Sequence, residues 1–374
     1  MTASTASAPA GTPRRFAELD GLRGLAVGAV LVYHYTSPFD GYYPGMPSAP
    51  FDFVDGEYGV QLFFLISGFV ILLTAERAQV TSDFVIARIS RLYPTYWAAL
   101  ALTTAVIVLS GAEPVRVTLG QVLVNTTMLQ RFVLVDNVDR VYWTLALELV
   151  FYAYMAVYLA LTRCRISIPT LRRLTSAWVL ASVPICLWAA AHSGSEPAKA
   201  VLTLTLAEYA GLFAAGMMFY VSRSRQVVEP LAFGFGAVAI LDAAILRGFR
   251  GALVVTFVVV LFAAVVAAPR VGLLARGPLH ALGVISYPLY LVHQVVGVVL
   301  LAALIPALGR VPAMVVVSAV VIAISAALHV TIEGPVSRRL RTAVLGGRAS
   351  ARAARGRSRE RSRDQSRGRA GGSA

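Results

Sequence analysis

The stretch LDGLRGLAVGAVLVYHY, residues 19–35, decides how this chain is read. It is a run of Leu, Val, Ala and Gly interrupted by Asp20, Arg23 and His34. With its flanks it reaches the length of a bilayer helix, which needs about 20 predominantly apolar residues. Ionisable side chains in such a segment are costly, and they face a protein interior or a wet cavity. Arg23 and His34 are eleven residues apart in the chain. At about 100° per residue, eleven steps return to within about 20° of the start, so both lie on one helix face, about 16 Å apart.

The rest of the sequence repeats that apolar character. Of its 374 residues, 57% are hydrophobic and 14% charged, and the mean hydropathy is +0.71, which excludes an ordinary water-soluble domain. Ten spans follow: 19–36, 57–75, 95–110, 141–162, 175–192, 199–221, 229–246, 250–268, 279–305 and 312–333. The segment 115–133 is too mixed to cross and reads as a surface element. The expected fold is an all-α polytopic membrane protein of about ten transmembrane helices. Residues 1–15 read as a disordered N-terminus, 16–337 as the membrane domain and 338–374 as a disordered Arg-rich tail.

Charge orients this topology. With the N-terminus inside, 25 of the 33 basic residues fall on the cytoplasmic side and seven outside, as the positive-inside rule requires. Both termini are therefore expected in the cytoplasm of a cell-membrane, multi-pass protein. The first fifteen residues lack the apolar core of a cleaved signal peptide. The tail RRLRTAVLGGRASARAARGRSRERSRDQSRGRA supplies most of the net charge of +14. It suits attraction to the anionic inner leaflet of the lipid bilayer, or a solvated topogenic tail, better than nucleic-acid binding. One lysine against 32 arginines points to a high-GC bacterium. Two cysteines, Cys164 and Cys186, leave no metal cluster and no structural disulfide to expect.

Several groups could carry chemistry. Asp20 and Arg23, three residues apart, can pair at the mouth of the first helix; alternatively Asp20 caps the helix and Arg23 anchors it. The neutral imidazole of His34 can take a proton from a hydroxyl, or can be a hydrogen-bonded structural group. In FVIARISRLYPTYW (84–97), Arg88 and Arg91 share a helix face and form a guanidinium fork suited to phosphate, or simple inner-surface anchors. GVQLFFLISGF (59–69) places Gln61 in a span, and Ser67 and Gly68 where small residues let helices approach. VYWTLALELVFYAY (141–154) buries Glu148, which must be paired or protonated there, beside the aromatics Tyr142 and Trp143. SYPLYLVH (286–293) sets Tyr290 and His293 on one face. His329 and Glu333 read as a structural i, i+4 pair. By depth, His34, Glu148 and His293 form an outer layer, whereas Arg23, Arg88 and Arg91 gather at the inner mouth. Such a division suits a two-substrate site across the bilayer.

Together, ELDGLRGLAVGAVLVYH, GVQLFFLISGF, ARISRLYPTYW, YWTLALELVFY and ISYPLYLVH resemble, in order and over residues 16–333, the acyltransferase family 3 membrane O-acyltransferases. The resemblance implies transfer of an acyl group, often acetyl, from cytoplasmic acyl-CoA to a hydroxyl, usually on a sugar. Acyl-CoA would be a co-substrate, with no resident cofactor and no metal. His34 would be the catalytic base, Arg23, Arg88 and Arg91 would engage the donor, and Glu148 would join the catalytic group in support of the site. Asp20, Ser67, Trp143, Tyr290 and His293 would support the site. The chain has no room for the esterase-like domain fused to some members. A cell-surface glycan and a glycosylated natural product such as a macrolide both fit as acceptor. The rival reading is a transporter or flippase of a glycan or lipid-linked substrate; its charges would be spread through many spans, whereas here they gather on the first four.

Overall fold

The computed structural model describes residues 16–111, 115–268 and 272–336, with 338, 339 and 342 beyond them. The expected disordered ends, 1–15 and all but those three residues of 338–374, lie outside this set. Among the described residues every regular element is helical. Helix α1 is Ala17–Thr36, α2 Gly59–Ala75 and α3 Thr81–Ser110. The short α4 (Leu119–Asn125) follows, then α5 (Trp143–Leu161), α6 (Ile168–Ala191), α7 (Glu196–Thr205) and α8 (Ala207–Arg225). Pro230–Ala267 forms α9, and α10 (Gly277–Val284), α11 (Ser286–Val292), α12 (Val295–Leu308) and α13 (Arg310–Leu328) complete the order. Among the described residues, seven helical segments, α1 not among them, are long and apolar enough to cross a membrane, and the bent pair α11–α12 counted as one span makes an eighth.

The 38-residue α9 is a hairpin. Gly248 breaks it with φ 70° and ψ −168°, a conformation that glycine adopts without a Cβ penalty. A Cβ on Gly236 would lie 2.8 Å from Val259, 23 residues on; in a straight helix those positions are about 34 Å apart. The two limbs are therefore antiparallel and correspond to the expected pair 229–246 and 250–268. At the turn, Arg247 pairs with Glu208 at 2.7 Å and Glu57 at 3.3 Å, and Arg250 with Asp55 at 2.7 Å.

Three expected boundaries are corrected. The third span does not begin at 95: α3 runs unbroken from Thr81 through Pro94, for 30 residues. Buried Phe84, Arg88 and Leu92 hold its first turns in the protein, so packing outweighs the helix hydrogen bond that proline cannot donate. The sixth span is divided by Leu206, which has φ 54°. The ninth span, 279–305, is three helices, with a 60° bend between α11 and α12. The bend has an identifiable cause: the Asp139 carboxylate accepts from the Val295 N–H at 3.0 Å and from Val141 N–H at 3.1 Å. It caps the start of α12 and ties that start to the lead-in of α5.

Close helix pairs fix the frame of the site. A Cβ on Gly283 would meet the Asp20 carbonyl at 1.6 Å, and one on Gly24 the Leu279 carbonyl at 1.9 Å, so α10 lies backbone to backbone on α1. Gly68 and Gly216 do the same for α2 and α8. This is the small-residue packing that membrane helices use in place of a hydrophobic driving force.

Candidate active site

Three cavities follow one another along the bundle. The first, about 590 Å³, lies at the end expected to face inward and is lined by Asp20, Arg23, Arg77, Arg91, Glu333 and Arg338, among others. The middle one, about 100 Å³, shares Arg23 and Arg91 with it and adds Arg88, Ser67, Glu148 and Tyr152. The third, about 320 Å³, is lined by His34, Trp143, Tyr42, Gln61, Arg247 and Gln294, among others. Tyr290 and Val60 line both the middle and the third cavity and form the wall between them.

The arginine end comes from α1 and α3. Arg23 Nη1 donates to Asp20 at 3.2 Å, the i, i+3 pair that helix periodicity gives; Asp20 is thus inside the helix, not its cap. Arg88 is buried, donates to Thr74 Oγ1 at 3.2 Å and stands over the Tyr152 ring at 5.9 Å. It lies one cavity deeper than the inner mouth, where it was expected. Arg77 and Arg338 take that place. Sequence reasoning had counted both only as inner-surface charge. His329 and Glu333, 2.7 Å apart, also line this mouth.

Glu148, placed by depth in one layer with His34, lines a different cavity from it. It accepts hydrogen bonds from Tyr152 Oη and, at 3.5 Å, from Ser67 Oγ, and it lines the middle cavity with the arginines. Tyr152 is one helical turn further along α5, so both side chains leave the same face. The middle cavity therefore carries three guanidiniums against one carboxylate, an excess suited to an anionic ligand. Ser67 meets Glu148 while Gly68 packs on α8.

The partner of His34 is His293. His293 Nδ1 is 2.9 Å from the Tyr290 carbonyl and 3.1 Å from that of Leu289. A carbonyl only accepts, so in the neutral ring Nδ1 bears the proton and Nε2 the lone pair. That Nε2 lies 3.1 Å from His34 Nδ1, which is also 2.9 Å from the Val30 carbonyl. Facing two acceptors, His34 Nδ1 must carry its own proton. His34 Nε2 is then left as the lone-pair nitrogen, the form a general base needs.

The bend at α11–α12 makes this arrangement possible. In a continuous helix the Tyr290 carbonyl would accept from the Gln294 N–H; here the His293 ring takes it. The freed His293 carbonyl accepts from Tyr35 Oη at 2.9 Å, which has room only because residue 297 is glycine: a Cβ there would lie 2.0 Å from that oxygen. Tyr290 Oη accepts from Thr144 Oγ1 at 2.9 Å and donates to the Val141 carbonyl at 3.2 Å, fixing the wall between the cavities. Trp143 is not merely interfacial, since it lines the third cavity with His34. Asp139 and Gln294 carried no expectation, although a His–Gln pair inside an apolar run was a signal that could have been read. Among the described residues, no group of three or more His, Cys, Asp or Glu side chains could hold a metal ion.

An all-helical membrane bundle with a histidine dyad beside an arginine-lined cavity defines a class, the integral membrane group-transfer enzymes. A family model of an acyltransferase domain matches residues 16–330, and the chain belongs to acyltransferase family 3. It is similar to the exopolysaccharide production protein ExoZ of Rhizobium meliloti, at 32% identity over 327 residues, covering 80% of this chain and 96% of that protein. No solved structure matches.

Proposed function

We propose that the chain transfers an acyl group, in the first instance acetyl, from acyl-CoA to a hydroxyl of a sugar on a glycan or a glycosylated natural product. The observation that carries this reading is the pair of carbonyls that hold the His293 proton and so leave His34 Nε2 basic. The donor enters from the cytoplasm and sets its phosphates at Arg23, Arg77, Arg91 and Arg338. Its pantetheine arm runs past Arg88 and Glu148 to the Tyr290 wall. The acceptor occupies the third cavity from the outer side. Positive-inside charge supports this orientation, with both termini in the cytoplasm.

In the chemical step, the acceptor O–H gives its proton to His34 Nε2 as its oxygen attacks the thioester carbonyl. The imidazolium that forms is stabilised by the hydrogen bond from its Nδ1–H to His293. The C–S bond then breaks, and the departing thiolate takes the proton from His34, giving free CoA–SH and the ester. The dyad thus ends as it began. Glycan modification is also consistent with the relative being an exopolysaccharide production protein.

The test is purified protein in nanodiscs with labelled acetyl-CoA and saccharide acceptors, following thiol release and label on the sugar. His34→Ala is expected to lower transfer by about 10²–10⁴-fold, the range of general-base catalysis, with unchanged membrane insertion. Undiminished product would refute the base assignment. Label recovered on His34 by mass spectrometry would replace direct attack with an acyl-imidazole route.

A further inference from the structure

The third cavity contains two buried carboxamides whose bonding is incomplete. Gln61, in α2, is 4% exposed and Gln294, at the α11–α12 bend, 3% exposed. Both line the cavity that holds His34. The Oε1 of each has no hydrogen-bond partner, although Gln294 Nε2 donates to Tyr42 Oη at 3.0 Å. Buried polar atoms are nearly always paired, because one left unpaired has given up its bonds to water for nothing in return. A carboxamide turned about its last bond can present either atom to the cavity.

The remaining lining says what would pair with them. Trp143, Tyr33 and Tyr42 give aromatic faces, and burial pushes the Tyr42 phenol up, so it remains a neutral hydroxyl. Arg247 is already taken by Glu57, Glu208 and the Tyr209 hydroxyl. Arg140 stands over the Tyr42 ring at 5.0 Å. Unlike the arginine cavity, this one sets flat apolar faces and amide groups around two arginines, of which Arg247 is paired with carboxylates and Arg140 stands on a ring. That combination fits an uncharged polyhydroxyl ring: aromatic faces cover its C–H surface and carboxamides take its hydroxyls.

We infer that Gln61 and Gln294 are the acceptor-positioning residues. They hold hydroxyls of a neutral pyranoside on either side of the one presented to His34 Nε2, and so select which hydroxyl is acylated. This rests on the proposed acyl transfer for its purpose, but not for its test.

The experiment is saturation-transfer NMR on the full chain in nanodiscs, with methyl β-glucoside, methyl β-galactoside and methyl α-mannoside as probes, and thiol release from acetyl-CoA in parallel. Wild type is expected to saturate at least one glycoside. Gln61→Met and Gln294→Met, close in shape but unable to bond, should each lower that signal at least fivefold; Gln61→Met should do so with no loss of melting temperature, because it removes an unpaired buried oxygen, whereas Gln294→Met also gives up the bond to Tyr42. Gln61→Glu, which keeps an acceptor oxygen, should retain binding. A purely structural role predicts the opposite order, with Met tolerated and Glu disruptive. Undiminished saturation in both Met variants, or no saturation of any glycoside by wild type, overturns the inference. Sugar binding without thiol release would instead defeat the acyl-CoA reading and leave this one standing.

Discussion

His293→Phe isolates the dyad, because it removes the acceptor 3.1 Å from His34 Nδ1 while filling the buried site. The Val30 carbonyl at 2.9 Å remains, so His34 keeps its tautomer in the resting enzyme. The loss falls on the moment when His34 becomes positive, when the bond from Nδ1–H to His293 is charge-assisted and about twice as strong as a neutral one. Such bonds contribute about 1.5–3 kcal/mol, which corresponds to a fall in kcat of about 10- to 150-fold. KM for acyl-CoA should not move, since His293 lines neither arginine cavity. The assay is steady-state transfer in nanodiscs, with melting temperature recorded to separate misfolding from chemistry. Residues that act as a unit are non-additive, so His34→Ala/His293→Phe should be no slower than His34→Ala alone. A kcat within twofold of wild type, or a further loss in the double variant, would refute the reasoning.

Three other expectations follow from the same geometry. Arg77→Ala and Arg338→Ala at the exposed inner mouth should each raise KM for acyl-CoA by about fivefold, a surface charge pair being worth up to about 1 kcal/mol. The effect should fade in high salt, and a salt-independent change would point to misfolding instead. Tyr290→Ala removes the wall between the middle and third cavities; CoA release in the absence of acceptor should rise relative to transfer, and unchanged coupling would show that the wall lies elsewhere. Gly297→Ala drives a methyl into the Tyr35 hydroxyl, and overpacking of this kind costs about 1–3 kcal/mol. Both melting temperature and kcat should drop, because the same contact shapes the helix break that carries His293; normal values for both would sink that coupling.

Much of the site was legible because helical periodicity is local. The Asp20–Arg23 pair, the shared face of Arg88 and Arg91, and the turn between residues 246 and 250 all follow from spacing within one segment. The five motifs in order pointed to acyltransferase family 3, and the family match confirms it. The misplacement of Glu148 had a different origin: depth along a helix was known, but the direction its face turned was not. Ser67 and Tyr152 decide that direction, and Ser67 lies 81 residues away in the chain.

By itself, then, the sequence determined the all-helical membrane class, the polar residues that would stand inside it and which of them share a face of one helix. Apolar run length and the 3.6-residue period are properties of short stretches. Only the tertiary structure decided that the apolar run holding His293 breaks, because Asp139, 156 residues before Val295, takes that residue's N–H. The break frees the Tyr290 carbonyl, the nearer of the two that hold the His293 proton and leave its Nε2 to His34. His34 was visible in the sequence, but which of its ring nitrogens carries the proton depends on hydrogen bonds between segments that meet only in the folded bundle.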